Sequence, residues 1–219
     1  MLGTPWRFLC VLLCVLALVG CDDDGTPLNP PDDGDEDGDN DDGSRTTLCA
    51  VMGDGISTDF GLGGEPPWPA RLQNMLNRRV FNEAKSHTRI DYGVANVGLV
   101  IGRIHPTHVL ILYGSNDVGI EHTSDYITDS LLKMVEIAKS SNVIPIVATL
   151  PPLYERPADI VTRLHQVNAD IRSLAAIENI PLADLEAEFG SSRELIQEDG
   201  LHSTVAGHDV IAMTFLEAL

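Results

Sequence analysis

Residues 108–117 read HVLILYGSND. An unbroken apolar run from Val109 to Tyr113, with no polar residue at alternate positions, reads as a strand buried on both faces, and the Gly-Ser-Asn-Asp that follows stops it abruptly. Working outward, the same signature recurs in TLCAVM (47–52), RVFN (79–82) and VIPIVATL (143–150), and more weakly in IPLADL (180–185). Between these runs lie longer amphipathic stretches, which predict helices near 67–77, 89–104, 124–140, 157–178 and 204–218, with a short helical turn near 191–197. Alternation of short buried strands with helices is the pattern of parallel strands joined by crossovers. The expected fold class is therefore α/β, a three-layer α/β/α sandwich with a five-stranded parallel sheet. Such sheets carry their sites at the carboxyl ends of the strands. That directs attention to GDGIS, NEAKS, GSND and PPLYERP, the segments after the first four strands, and to DGLHS near the C-terminus.

The chain ahead of the first strand is of a different kind. Residues 1–21, MLGTPWRFLCVLLCVLALVGC, place Arg7 before an apolar run and Gly20 just before Cys21, the layout of an export signal. LVGC resembles the lipobox of bacterial lipoproteins, which implies lipidation at Cys21 and a place in the bacterial cell envelope, anchored on the extracytoplasmic side of a membrane. Residues 22–45 hold eleven acidic side chains and one Arg among Gly, Pro and Asn, too little apolar surface to fold, and read as an extended tether. DGDEDG (33–38) matches half of a calcium loop, but Ser44 stands where the bidentate Glu belongs. The folded domain is expected over 46–219.

Of the net charge of −19, the domain itself holds −10. Nucleic acid is disfavoured as a partner, because phosphate binding needs a basic face. Cys49 is the one cysteine inside the domain, which excludes an internal disulfide and reads as a small buried side chain.

DGLHS (199–203) sets Asp199 three residues before His202, a spacing that lets the carboxylate turn back and fix the imidazole tautomer, although a capping turn would look the same. YGSND (113–117) places the Asn116 amide at a strand end, where it can donate to an oxyanion or serve an ordinary turn.

Together and in this order the blocks resemble the SGNH hydrolases, the GDSL esterase and lipase family, over essentially the whole domain. GDGIS matches the family's first block at Gly53 and Asp54, and NEAKS the second around Asn82. GSND matches the third at Gly114, Asn116 and Asp117, and DGLHS the last at Asp199 and His202. The resemblance implies a flavodoxin-like sheet, hydrolysis of carboxylic esters, no cofactor and no metal. It also implies an oxyanion hole at Gly55, Ala84 and Asn116, with Asp54, Gly114 and Asp117 in support.

Two blocks depart from the pattern. Gly55 aligns with the family's serine nucleophile and Ala84 with its oxyanion glycine. A backbone N–H survives a change from Gly to Ala; a missing hydroxyl has no backbone substitute. Ser57 is a surrogate nucleophile to test, with Thr58 and Ser115 behind it, and a water activated by His202 is another route. Two classes of function stand open. One is an active esterase, lipase or deacetylase using Ser57 or water. The other is a relative without conventional serine catalysis that keeps a groove for a small acyl or acetyl ester or an acetylated glycan.

The spacing of His105 and His108 is that of a metal pair, but Pro106 separates their directions. His87, His122, His165 and His208 have no partners at ligand spacing. Trp68 and Tyr154 are candidates for a substrate groove or for packing.

Overall fold

The computed structural model describes residues 47–120 and 122–219; the expected export signal, lipobox with Cys21 and acidic tether lie outside the described residues. Five parallel strands form one sheet: β1 (Cys49–Gly53), β2 (Val80–Asn82), β3 (His108–Leu112), β4 (Ile144–Ala148) and β5 (Leu182–Ala183), in the spatial order β2-β1-β3-β4-β5. Helices α1 (Trp68–Leu76), α2 (Ile90–Ile104), α4 (Ser124–Ser140), α5 (Ala158–Glu178) and α7 (Val205–Ala218) fall on the five predicted stretches to within a residue or two. Short α3 (Ser115–Gly119) and α6 (Leu185–Phe189) were not expected, and the predicted turn near 191–197 is a single 3-10 turn at Arg193–Leu195.

The sheet has helices on both faces: α2, α4 and α5 pack in sequence as one layer, while α1 packs on α7, with α6, as the other. This is why the strands read as continuous apolar runs. All five residues of β1 are buried, as are Val109–Leu112 and Pro145–Ala148. Cys49 sits in that core, where burial pushes its thiol up to about 11.

β5 is shorter than its apolar run because Asp184 ends it. Its carboxylate accepts from Thr149 Oγ1 and the Ala187 N–H, starting α6, and pairs with Arg172 at 2.6 and 2.7 Å. β3 is also cut short. Gly114, at φ 129, turns the chain sharply into α3, a conformation that L side chains rarely adopt.

The strand order reverses direction at β1: the chain steps out to β2 on one side and returns to β3 on the other. A crevice opens where neighbouring crossovers leave in opposite directions, here between the tips of β1 and β3. The residues after those tips are Asp54 and Gly55 on one side, Ser115 and Asn116 on the other.

Candidate active site

β1 ends at Gly53 because nothing larger fits: a Cβ there would collide with Ser57 Oγ and press on the Leu112 carbonyl. The next residue, Asp54, is buried and caps the 3-10 turn Gly55–Ser57, its Oδ1 accepting from the Ile56 N–H at 3.0 Å. Thr58 closes the turn through Oγ1 to the Gly55 carbonyl at 2.9 Å. This presents Gly55 to the cavity with its N–H free of any acceptor among the described residues.

On the opposite wall the DGLHS segment is shaped by its own carboxylate. Asp199 Oδ1 accepts the Leu201 and His202 N–H groups at 2.9 and 3.0 Å, which turns the chain so that Oδ2 meets His202 Nδ1 at 2.6 Å. Burial raises the Asp199 pKa, but the His202 ring and the two N–H groups outweigh it and hold the carboxyl below its ordinary range. With Nδ1 on the carboxylate, Nε2 is the nitrogen left for chemistry. Phe60 packs against the imidazole at 4.1 Å between ring centroids, the rings tilted by 31°.

Nε2 points at Gly55. A Cβ built on Gly55 would lie 2.9 Å from His202 Nε2 and 3.6 Å from Cδ2, with nothing else within 4 Å. The imidazole thus reaches into the space a side chain at residue 55 would need, and the two halves of the expected site do meet.

Asn116, at the start of α3, lines the same cavity. Its Nδ2 donates one hydrogen to the Thr88 carbonyl at 2.8 Å and the other to Asp54 Oδ2 at 3.5 Å, a long contact that a ligand oxygen in the cavity would displace. Asp117 faces away into the core, its two oxygens taken by the Ile90 N–H at 3.1 Å and His122 Nδ1 at 3.0 Å. It ties α2 to α3 and supports Asn116 from behind.

Two expected site residues are not brought to the cavity. Ala84 is one. The parallel ladder continues past β2, with Glu83 N–H on Val51 O and Lys85 N–H on Gly53 O, and the Ala84 N–H is taken by Asn82 Oδ1 at 3.1 Å. The chain therefore reaches the strand tips two residues later, and Ser86 and His87 form the wall instead. Sequence spacing did not reveal this, because the strand's extension is made by hydrogen bonds to β1.

Ser57 is the other. It is fully buried, its Oγ faces Gly53, and it has no hydrogen-bond partner. The hydroxyls that do line the cavity are those of Ser86, paired with Thr58 Oγ1 at 3.0 Å, and Ser115; neither is hydrogen-bonded to His202.

Like His122, two further histidines have partners that only the fold supplies. His165 meets Glu186 at 2.6 Å, and His208 Nδ1 accepts the Trp68 N–H at 3.0 Å, capping α1 in place of Pro67, which offers no side-chain acceptor. Trp68 is a packing residue, fully buried and stacked on Phe215 at 4.6 Å; Tyr154 lies half-buried under Arg193.

Two buried groups titrate against each other. Burial lowers the His208 pKa from 6.5 to about 4, helped by the Arg71 charge. The folded state refuses a proton the unfolded chain accepts, so this stability is full above 6.5 and is lost as pH falls toward 4. Burial raises Asp54 from 3.8 to about 7, against the Ile56 hydrogen bond and with the Asp117 charge adding to it. Its stabilisation is full below 3.8 and is lost as pH rises through about 7. The two slopes oppose over one window. Thermal unfolding should therefore show His208→Asn gaining stability as pH falls from 7 to 4 and Asp54→Asn losing it. Parallel profiles in the two variants would contradict this assignment.

The cavity between Gly55, Asn116 and His202 has a volume of 210 Å³. A reversing strand order, a buried Asp-Gly turn, an Asn at the next strand tip and a carboxylate-oriented histidine together make the architecture of an ester-hydrolase site. The chain belongs to the GDSL-like lipase/acylhydrolase family, whose profile matches residues 51–210. A GDSL lipase of Mycobacterium tuberculosis is similar at 29% identity over 77% of this chain and 79% of its own length. Among solved structures, a lipolytic G-D-S-L protein of Veillonella parvula shares the fold with a TM-score of 0.71 at 17% identity, covering 79% of this chain and 98% of that one. An acetyl-xylooligosaccharide esterase from Geobacillus, solved as a point variant, does so with a TM-score of 0.68 at 21% identity, covering 78% and 93%.

Proposed function

We propose that this chain is an ester-recognising member of its family in which Gly55 stands where the nucleophilic serine would be. It binds a small acyl or acetyl ester, an acetylated glycan included, and forms no acyl-enzyme. The observation that carries this reading is the line from His202 Nε2 to Gly55: the base is oriented by Asp199 and aimed at a residue with no side chain. Among the described residues no hydroxyl is hydrogen-bonded to that nitrogen, and Ser57 is turned away from it. The Gly55 N–H and the Asn116 amide remain able to hold a carbonyl oxygen. Incubation with p-nitrophenyl acetate followed by intact-mass measurement should show no acetyl adduct, while an acetylated methyl xyloside should give saturation-transfer NMR signals. An adduct mapped to Ser57 would overturn the reading.

The intact Asp199–His202 pair favours a second reading, in which a water above Gly55 is activated by Nε2 and attacks the ester directly. Its mark is turnover without a burst or an adduct, abolished by His202→Ala and indifferent to Ser57→Ala.

We propose further that the domain is displayed outside the cytoplasm on a lipid at Cys21. Expressed in a bacterial host, the full chain should partition into the membrane fraction, and Cys21→Ser should lose the lipid and the anchoring. Recovery of lipid-modified Cys21→Ser protein would end that assignment.

A further inference from the structure

The 210 Å³ cavity is smaller than the roughly 300–1,000 Å³ of sites that take a drug-sized molecule, so it has room for a short acyl group and little else. His87 and Asn116 belong to its wall and also to that of a neighbouring hollow of 480 Å³, so the two lie side by side. The second hollow is the more polar of the two: beyond those two residues it is lined, among the described residues, by Thr88, Arg89, Asp91, Tyr92 and Ile120. An alkyl chain there would strip water from Arg89 and Asp91 without replacing their hydrogen bonds. A neutral polyhydroxylated group would replace them, donating to Asp91, accepting from Arg89 and His87, and lying along the Tyr92 ring. A larger hollow on the far side of Phe60 shares only that side chain with the small cavity.

His87 adds an independent observation. It adopts φ 62, a left-handed conformation that favours glycine. The other non-glycine residues with positive φ have structural reasons. Asn77, His105 and Asn179 are C-caps of α1, α2 and α5, Asn142 follows the C-cap of α4, and Glu155 is anchored to Arg193 at 3.0 and 3.1 Å. His87 ends no helix. It sits in a turn closed by Thr88 on the Lys85 carbonyl, its side chain is exposed, and the imidazole has no hydrogen bond among the described residues. As third residue of the turn Lys85–Thr88, where a type II turn requires positive φ, it holds an unpaired imidazole between the two hollows, within reach of a ligand there.

We propose that the second hollow receives the alcohol part of the ester and that His87 selects an alcohol bearing hydroxyl groups, that is, a sugar. The proposal rests on the ester-binding reading above. The test is NMR titration of the full chain with two probes, an acetylated methyl xyloside and ethyl acetate, against wild type, His87→Gly and Arg89→Ala. His87→Gly should melt no lower than wild type, since glycine relieves the turn, yet bind the xyloside about tenfold more weakly, the effect of one lost polar contact. Arg89→Ala, an exposed substitution, should weaken the xyloside in the same direction, and ethyl acetate should bind all three proteins alike. If wild type binds neither probe, the ester-binding reading itself fails. If both probes bind but His87→Gly weakens neither, weakens both equally, or melts lower than wild type, the subsite for the alcohol is wrong and the parent reading stands.

Discussion

Replacing Gly55 by serine is expected to raise ester hydrolysis by roughly 10³ or more, since loss of the nucleophile from a serine hydrolase costs on the order of 10⁶ in turnover. The geometry is close to what the reaction needs. A Cβ on residue 55 lies 2.9 Å from His202 Nε2, which is too near, so the imidazole must withdraw by a few tenths of an ångström to accept a hydrogen bond from Oγ. It is free to do so: Nε2 is the far end of a side chain whose other cover is Phe60, itself half-exposed. The serine would then have a base, an orienting carboxylate and two oxyanion donors, the N–H of residue 55 and the Asn116 amide. Hydrolysis of p-nitrophenyl acetate should appear in Gly55→Ser and vanish in Gly55→Ser combined with His202→Ala. A folded Gly55→Ser protein inert toward a broad panel of esters would show that the base and the turn are not aligned for acyl transfer, and the functional reading would fall with it.

Gly200→Ala is expected to cost about 2–4 kcal/mol, combining a left-handed backbone that alanine resists with an overpacked contact. Gly200 sits at φ 70 between Asp199 and Leu201, and a Cβ there would overlap the Tyr154 carbonyl, a backbone atom that cannot swing aside. The same glycine receives the Tyr154 N–H on its own carbonyl at 3.0 Å, so displacing one strand of this contact displaces the other. The turn that brings Asp199 Oδ2 to His202 Nδ1 would open. Denaturant unfolding should register the stability loss, and in the Gly55→Ser background esterase activity should fall by more than the loss of folded protein explains. A Gly200→Ala protein with wild-type stability would mean that the loop from Leu153 to Arg156 is not a fixed wall.

The strand and helix periods and the two intact motifs were legible because they are local. An apolar run of strand length and an Asp three residues before a His express themselves within a few residues of chain. The cysteine's burial followed from its neighbours in the same way. Where reading failed, the deciding partner was far along the sequence. The family resemblance assigns Ala84 to the oxyanion hole, whereas hydrogen bonds from Glu83 and Lys85 to β1 carry the segment past the strand's apparent end and deliver His87 to the cavity. His208 seemed without a partner because Trp68, whose N–H it accepts, lies 140 residues away.

The sequence alone determined the fold class, the order of the strands and helices along the chain, the absence of a hydroxyl at residue 55 and the spacing that made Asp199 and His202 a candidate pair. Each of these is a property of side-chain type or short spacing, which needs no distant contact to be set. Only the tertiary structure decided that His202 faces Gly55, that Ser57 is sealed beneath it against Gly53, and that His87 stands between a small cavity and a more polar one. Those relations are made by strands and loops far apart in the chain. They exist only once the sheet's change of direction between β1 and β3 has brought the tips together.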